Sequence, residues 1–471
     1  MDLPNEMLNQ VFRYLSNTDL KNVRLAIPHQ GVKSCASKHL FSEVLFACRP
    51  IPYHAFEAIA NHPEYSKYPK KIHYDSSFFS QLIALGRNGL GMFFIDQWLR
   101  SQFAWNCRAW RARLRGQGIP VPCGASYRQD RSAVREAYRV QWRQQFRLQN
   151  ADLDIKAFTE GLQRMPLVQR IEVCQLSRSL PSEPPVILPS GLKLFVPDLA
   201  KDNGWFAHLD SLVRLLGTNN GAADDYFKHA NRGCQVVIVG LARSGHPAVS
   251  EIVVGESVMA DRQPPIDLSR LRIMTDDFTL AQIAFSGFRK MQVHYTDWSL
   301  PIDTEPAATL SLLQNAHKLT HLDLAASVSD GSVCGFPIGA EHLNFPNLQE
   351  LRLGYYGMSA GTLSTLVSQY SATVTSLHFA VVYLSSTTEP DNWNTVMAKI
   401  LHASCHKQDF SMHQCTGPGI PDSYPSTPMV GFGYATGILH VLPSGERTFR
   451  NDTLKGHHGF TNFSLINQTD K

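Results

Sequence analysis

The 471-residue sequence predicts an α/β chain made of consecutive parts. A three-helix module is expected over 1–46 and a mostly helical, Arg-rich connector over 47–150. An irregular solenoid follows over 151–403, with parallel strands inside and helices outside, and 404–471 form a cap or tail. Three observations predict this. Apolar residues near the N-terminus recur at helical spacing, a short apolar-x-x-apolar-x-apolar frame recurs through the second half, and helical stripes separate several of the frames. A chain of this length exceeds one core, and two or three domains are expected.

Composition narrows the class. The chain is 43% hydrophobic and 18% charged, which excludes wholesale disorder. A net charge of +4 selects no partner. Nine cysteines, an odd number spread without a CxxC pair, read as reduced and mostly buried thiols, as expected in the cytoplasm and/or nucleus. The N-terminus lacks a secretory pattern. The longest apolar run, VVIVGLA at 236–242, is too short to span a bilayer, so no membrane partner is expected. The sequons at Asn451, Asn462 and Asn467 read as chance.

In NEMLNQVFRYL, Leu8, Val11, Phe12 and Leu15 fall at i, i+3, i+4 and i+7, one helical stripe. Pro4 sits where a first-turn proline is tolerated, and Ser16, Asn17, Thr18 and Asp19 supply stop, turn and N-cap chemistry. DLKNVRLA forms a second short helix with Leu20 and Val23 on one side. After the breakers Pro28 and Gly31, SCASKHLFSEVLF is expected as a third helix presenting Leu40, Phe41, Val44 and Leu45. So small a module rarely sustains its own core. Some of these apolar residues are therefore expected to serve an outside surface.

The series Leu3-Pro4-x-Glu6-Met7-Leu8-x-x-Val11-Phe12-x-Tyr14-Leu15-x-x-x-Asp19-Leu20-x-x-x-Arg24-Leu25 resembles the F-box, in the style common in filamentous fungi. HLFSEV, at 39–44, is similar to the segment that closes the fungal version. IPHQGVKS, at 27–34, departs from it where many F-boxes carry a Cys or Lys followed by an aromatic residue. The resemblance implies docking onto the Skp adaptor of SCF-type cullin–RING ubiquitin ligases. Carried over by position, Leu3, Pro4, Leu8, Phe12, Leu15 and Leu20 supply the contact. The alternative is that these residues form an ordinary N-terminal core packed on the next domain.

In the connector, YSKYPKKIHYDSSFF at 65–79 holds a plausible strand around Ile72 and Tyr74. Residues 100–149 carry eleven Arg and no Lys against Asp130 and Glu136. With Trp105, Trp110, Tyr127, Tyr138 and Trp142 interleaved, this could mimic a nucleic-acid surface. The mostly i+4 spacing of Arg128, Arg131, Arg135, Arg139 and Arg143 instead marks the solvated face of one helix, with Tyr138, Trp142 and Phe146 lining its core face. An acidic protein partner is favoured over nucleic acid.

The repeating frame is plainest at Leu319-x-x-Leu322-x-Leu324, Leu348-x-x-Leu351-x-Leu353 and Val374-x-x-Leu377-x-Phe379, with steps of 29 and 26 residues. Fainter copies are Val168-x-x-Ile171-x-Val173, Val249-x-x-Ile252-x-Val254 and Phe288-x-x-Met291-x-Val293. A strand, a loop and a helix at this period are the grammar of a leucine-rich repeat solenoid, although the consensus asparagine is missing. Such a surface binds proteins, through its sheet or through loops such as 325–345.

No P-loop, HExxH, GxSxG or dinucleotide fingerprint is present, so no catalytic residue and no cofactor are expected. GFGYATG at 431–437 reads as a turn or strand edge. His402, Cys405, His406, His413 and Cys415 are dense enough to consider zinc, but their mixed order lacks two spaced ligand pairs, and no metal is expected. The sequence is thus read as a non-enzymatic adaptor. The F-box resemblance implies that it docks to a Skp-type adaptor, and through it to the cullin–RING ligase, and recruits an unknown substrate protein with its repeats. The alternative is a protein-interaction scaffold without a degradative role.

Overall fold

A computed structural model of the chain describes residues 4–15, 17–27, 29–76, 79, 81–85, 127–174, 222–255, 273–296, 308–327, 334–335, 344–380, 382–384, 393, 396, 409–415, 435–441 and 447–450. It is mixed α/β, with mostly parallel sheet and helices around it. The chain divides into two compact units, Met1–Val249 with Arg270–Ala284 and Ser250–Ser269 with Phe285–Lys471.

The first unit opens with α1 (Asn5–Arg13), α2 (Asn17–Ala26) and α3 (Gln30–Leu40). The third helix differs from the sequence expectation. It begins at Gln30, so Gly31 lies inside its first turn, and it ends at Leu40. The following Glu43–Ala47 is a strand, β1. Val44, Leu45, Phe46 and Ala47 are all buried, so both faces of this strand are covered. A strand covered on both sides is a continuous apolar run, which spacing alone does not separate from a buried helix.

The unit continues through α4 (Pro50–Asn61), a 3-10 turn (Tyr65–Lys67) and β2 (Lys71–Asp75), then α5 (Gln81–Leu85), α6 (Tyr127–Asn150) and α7 (Leu153–Arg164). β3 (Arg170–Cys174) and α8 (Ala222–Ser244) complete its main elements. The strand expected around Ile72 and Tyr74 is β2. β1, β2 and β3 run parallel, with Val44 beside Ile72 beside Ile171 and Phe46 beside Tyr74 beside Val173. Phe46 is the hub of their core, with ring centroids 4.6 Å from Phe56, 5.3 Å from Tyr74 and 5.5 Å from Phe158. α7 approaches so closely that a Cβ at Gly161 would overlap the Phe56 ring. Buried charge fixes α7 against α8: Arg232 donates to both Asp154 oxygens at 2.6 and 3.0 Å and to Asp152 at 2.7 Å. A bidentate pair of this kind adds geometric specificity as well as energy.

The second unit holds β4 (Glu251–Val254), β5 (Lys290–Thr296), β6 (His321–Ser327), β8 (Glu350–Gly354), β10 (Ser376–Ala380) and β12 (Asp409–Cys415), hydrogen-bonded in that order and all parallel. β13 (Ala435–Val441) and β14 (Arg447–Arg450) follow antiparallel. The segment expected as a cap or tail therefore contributes strands to this sheet. A second small sheet joins β7 (Cys334–Gly335), β9 (Tyr356–Met358) and β11 (Tyr383–Leu384). Between β8 and β9 the chain turns at Tyr355, whose φ of 61° is left-handed and whose amide donates to the Ala380 carbonyl at 2.8 Å. Helices α10 (Ala308–Leu313) and α11 (Ala360–Gln369) intervene between its strands, while α9 (Thr275–Phe285) belongs, but for its last residue, to the first unit.

All six sequence frames become strands, and each of their apolar residues is at most 5% exposed. Their register is common: Ile252, Met291, Leu322, Leu351 and Leu377 lie side by side across five strands. The approach to each strand also repeats. The amides of Val168, Phe288, Leu319 and Leu348 each donate to the carbonyl three residues earlier, at 3.1 to 3.2 Å. Two further copies, Phe41-x-x-Val44-x-Phe46 and Pro69-x-x-Ile72-x-Tyr74, form β1 and β2. The strands thus start within the region read as a three-helix module and its connector.

Truncating a frame residue removes packing on all sides, whereas its strand neighbour faces outward. Met291→Ala is expected to cost about 2–5 kcal/mol and Gln292→Ala less than about 0.5 kcal/mol. Urea unfolding of the full chain, followed by circular dichroism, measures both.

Candidate docking face

α1 is apolar on two faces, and packing settles which one it keeps. Phe12 is 4% exposed and Leu20 is fully buried. The Phe12 ring meets His39 edge-on at 6.5 Å, and His39 Nε2 pairs with Asn9 Oδ1 at 3.1 Å, joining α1 to α3. Leu8 and Leu15 are half-buried and Pro4 is exposed, while Leu3 lies outside the described residues. The residues carried over by resemblance are therefore not one surface in the free chain, since Phe12 and Leu20 serve the internal core.

A second stripe is exposed, of which spacing marks Val11 alone. Met7, Val11 and Tyr14, at i, i+4 and i+7, are 51%, 50% and 83% exposed. Leu25 and Ile27, at the end of α2, are 83% and 37% exposed. Arg24, beside Leu25, points inward. Its guanidinium lies 4.8 Å over the Tyr65 ring and 5.5 Å over Phe41, and it donates to the Tyr65 hydroxyl. A surface helix normally shows one apolar stripe, and clustered exposed apolar side chains mark interaction sites. The signal available in the sequence was that Met7, Val11 and Tyr14 are all apolar or aromatic on the side away from Phe12.

The sheet faces away from the frame residues carry the second set of polar groups, and in the first unit that face is covered as well. In the first unit His73 is nearly fully buried between Glu43 Oε2 at 2.9 Å and Glu172 Oε2 at 3.0 Å, while Lys71 and Arg170 reach Glu172 at 2.7 and 2.6 Å. Burial alone would raise the Glu172 carboxyl. Hydrogen bonds and charges from His73 and Lys71 outweigh it and lower the pKa from 4.5 to about 2. In the second unit Lys290 pairs with Glu251, His294 with Asp323, and both His321 and Arg352 with Glu350.

Burial pushes the Cys48 thiol well up, Asp154 adding to the effect, and burial alone pushes up Cys234, so neither is a ready thiolate. Among the described residues no group of three His, Cys, Asp or Glu is placed to hold a metal. His402, Cys405 and His406 lie outside them, and of His413 and Cys415 only the β12 backbone is described. No helix among the described residues is long and apolar enough to cross a membrane.

On the Arg-rich helix α6, Trp142 is buried but Phe146 is 39% exposed. Arg139 donates to the Ala84 carbonyl at 3.2 Å, a tie within the unit, while Arg143 and Arg147 are exposed. The side chains of Arg128, Arg131, Arg135 and Tyr138, and all of Trp105 and Trp110, lie outside the described residues.

Searches against protein-family models and against curated proteins find no match to the chain.

Two expectations follow. Phe12→Asp places a charge in the helical core and is expected to unfold the module, whereas Val11→Asp changes stability by no more than roughly 1 kcal/mol. Thermal melts with limited proteolysis of the N-terminal helices distinguish them. Because the folded-state pKa of Glu172 lies below its unfolded value, its contribution is complete above about pH 4.5 and disappears as pH falls toward 2. Acid titration of the wild type is expected to show this loss, and Glu172→Gln a flatter curve with lower stability at pH 7.

Proposed function

We propose that the chain is a non-catalytic adaptor, the substrate-recognition subunit of an SCF-type cullin–RING ubiquitin ligase. In this reading the F-box-like N-terminal helices dock onto a Skp-type adaptor. The repeated strands and helices, read as a leucine-rich-repeat-like solenoid, hold the protein to be modified. The transfer chemistry belongs to other subunits. This chain acts by proximity, raising the effective concentration of a substrate lysine near the activated ubiquitin.

The observation that carries the reading is the exposed Met7, Val11 and Tyr14 stripe on a helix whose other face is already packed. It supports docking through residues adjacent to those suggested by the family resemblance. Pro4, Leu8 and Leu15 flank the stripe, and Leu25 and Ile27 at the end of α2 are exposed as well. The repeated frame supports the recruiting role, because strands such as β4 and β10 of the second unit use alternate residues for packing and leave the others to a partly open face.

Burial of Phe12 and Leu20 favours a second reading for those two side chains, that of an interaction scaffold whose N-terminal helices serve only its own core. Co-expression with a Skp adaptor separates the two. Wild type is expected to co-purify as a stable complex, and Met7→Asp with Val11→Asp to lose it while keeping the wild-type melt. Absence of a wild-type complex, or equal capture of the folded double variant, supports the scaffold.

A further inference from the structure

The described side chains of α6, residues 139–150, divide into two sides. The inner side is committed to the first unit. Trp142 is buried, the buried Gln145 accepts the Phe79 amide on Oε1 at 2.8 Å, and Arg139 Nε donates to the Ala84 carbonyl. At 3.6 residues per turn, the exposed Phe146, Asn150, Arg143, Arg147 and Val140 fall in that order across about a third of the helix circumference. Two arginines one turn apart thus stand between two apolar side chains, Phe146 at 39% and Val140 at 38% exposure.

Two properties separate this strip from an ordinary solvated helix face. The first is its charge. Other surface cations of the unit stand beside carboxylates, as Lys156 and Arg164 do beside Glu160, Arg170 beside Glu172 and Arg243 beside Asp277. Residues 137–150 of α6 include no Asp or Glu, and Asp152 just beyond them is held by Arg232 at 2.7 Å. A helix face suited to water alone draws on acid–base pairs three or four residues apart, and this one has none to draw on. The second property is its support. The Phe146 ring lies 5.3 Å from that of the buried Trp142, so an exposed aromatic is presented on a packed base. Weakly hydrated guanidinium groups beside aromatic rings are the side chains that protein interfaces favour.

We propose that the outer strip of α6 docks an acidic amphipathic helix of a partner protein. Carboxylates one turn apart on that helix meet Arg143 and Arg147, and its apolar side chains cover Phe146 and Val140. Charge complementarity selects the occupant. A strip of cations without an acid repels a second copy of itself, and a nucleic-acid backbone would engage the arginines but leave Val140 uncovered. The strip over residues 140–150 is about 15 Å long, so it offers few contacts and suits a weak, readily reversed complex. The assignment goes beyond the adaptor reading and does not rest on it, because no contact with a Skp adaptor enters it.

The test uses the full chain and fluorescence polarisation, with a labelled library of helical peptides. Two glutamates are fixed one turn apart, and Leu, Ile, Val or Phe vary at the flanking positions. Matched libraries carry glutamine or lysine in place of both glutamates, and a mixed-sequence single-stranded RNA is the nucleic-acid probe. The glutamate library is expected to bind wild type at least about tenfold more tightly than the glutamine library. Arg143→Glu with Arg147→Glu is expected to lose about tenfold of that affinity and to prefer the lysine library, a reversal that a structural role of the arginines would not produce. Arg147→Glu alone is expected to shift the preference a few-fold in the same direction, which reads the strip independently of Arg143. The control pair Lys67→Glu with Lys156→Glu changes net charge equally and is expected to retain wild-type binding. Unchanged thermal melts confirm folding. Equal binding of the glutamate and glutamine libraries, equal loss in the control pair, or no reversal of preference overturns the proposal. RNA bound more tightly than the glutamate library, and lost in the same variants, overturns the assignment of a protein partner.

Discussion

The common register of the parallel strands is the constraint on which the rest depends. Side chains alternate along a strand, so a slip of one residue would turn every buried residue outward and every polar one inward. Each apolar-x-x-apolar-x-apolar frame places three side chains in the interior, each worth about 1.5–3 kcal/mol when fully buried. From Ile252 to Leu377, five strands keep the middle residue of the frame aligned. The first unit obeys the same rule at Val44, Ile72 and Ile171. Parallel strands cannot be joined by tight hairpins, and the helices and turns between frames are the crossovers this pairing requires.

Register also allocates the surfaces. With the frame residues inward, the intervening positions form rows rich in Glu, Lys, His, Asp and Arg on the other side of the sheet, a side that is covered in the first unit. Most described members neutralise one another there, as at Glu43, His73 and Glu172 or at His321, Glu350 and Arg352. The groups left over lie at margins: Phe146 and Arg147 on the outside of α6, and Met7, Val11 and Tyr14 on the outside of α1. A single device, a strand with one committed side, thereby separates the packing residues from those available to partners.

Much of this was legible in the sequence. Six frames could be read from spacing, since each pairs a fixed apolar pattern with a helical stripe or a loop. The frames at Phe41 and Pro69 escaped for identifiable reasons. Val44, Leu45 and Phe46 are all buried, so the run loses the alternation of a one-sided strand and matches a helix equally well. The frame before Ile72 begins on a proline instead of a large aliphatic residue. The docking face was legible only in part. Spacing marks Leu8, Val11, Phe12 and Leu15 as one stripe, but the contact with His39 draws Phe12 inward and leaves Val11 out. The pairing of Arg232 with Asp154, 78 residues apart, could not be read at all, because a long-range ion pair leaves no local pattern.

The central claim is that α1 divides its apolar residues between its own core and a partner. Amide hydrogen exchange of the full chain, with and without a Skp-type adaptor, tests it most directly. Protection confined to the segment from Asn5 to Ile27 on addition of the adaptor, with the strands unchanged, is the predicted result. Exchange of that segment unaltered by saturating adaptor would contradict it, and would leave the N-terminal helices to the chain's own core.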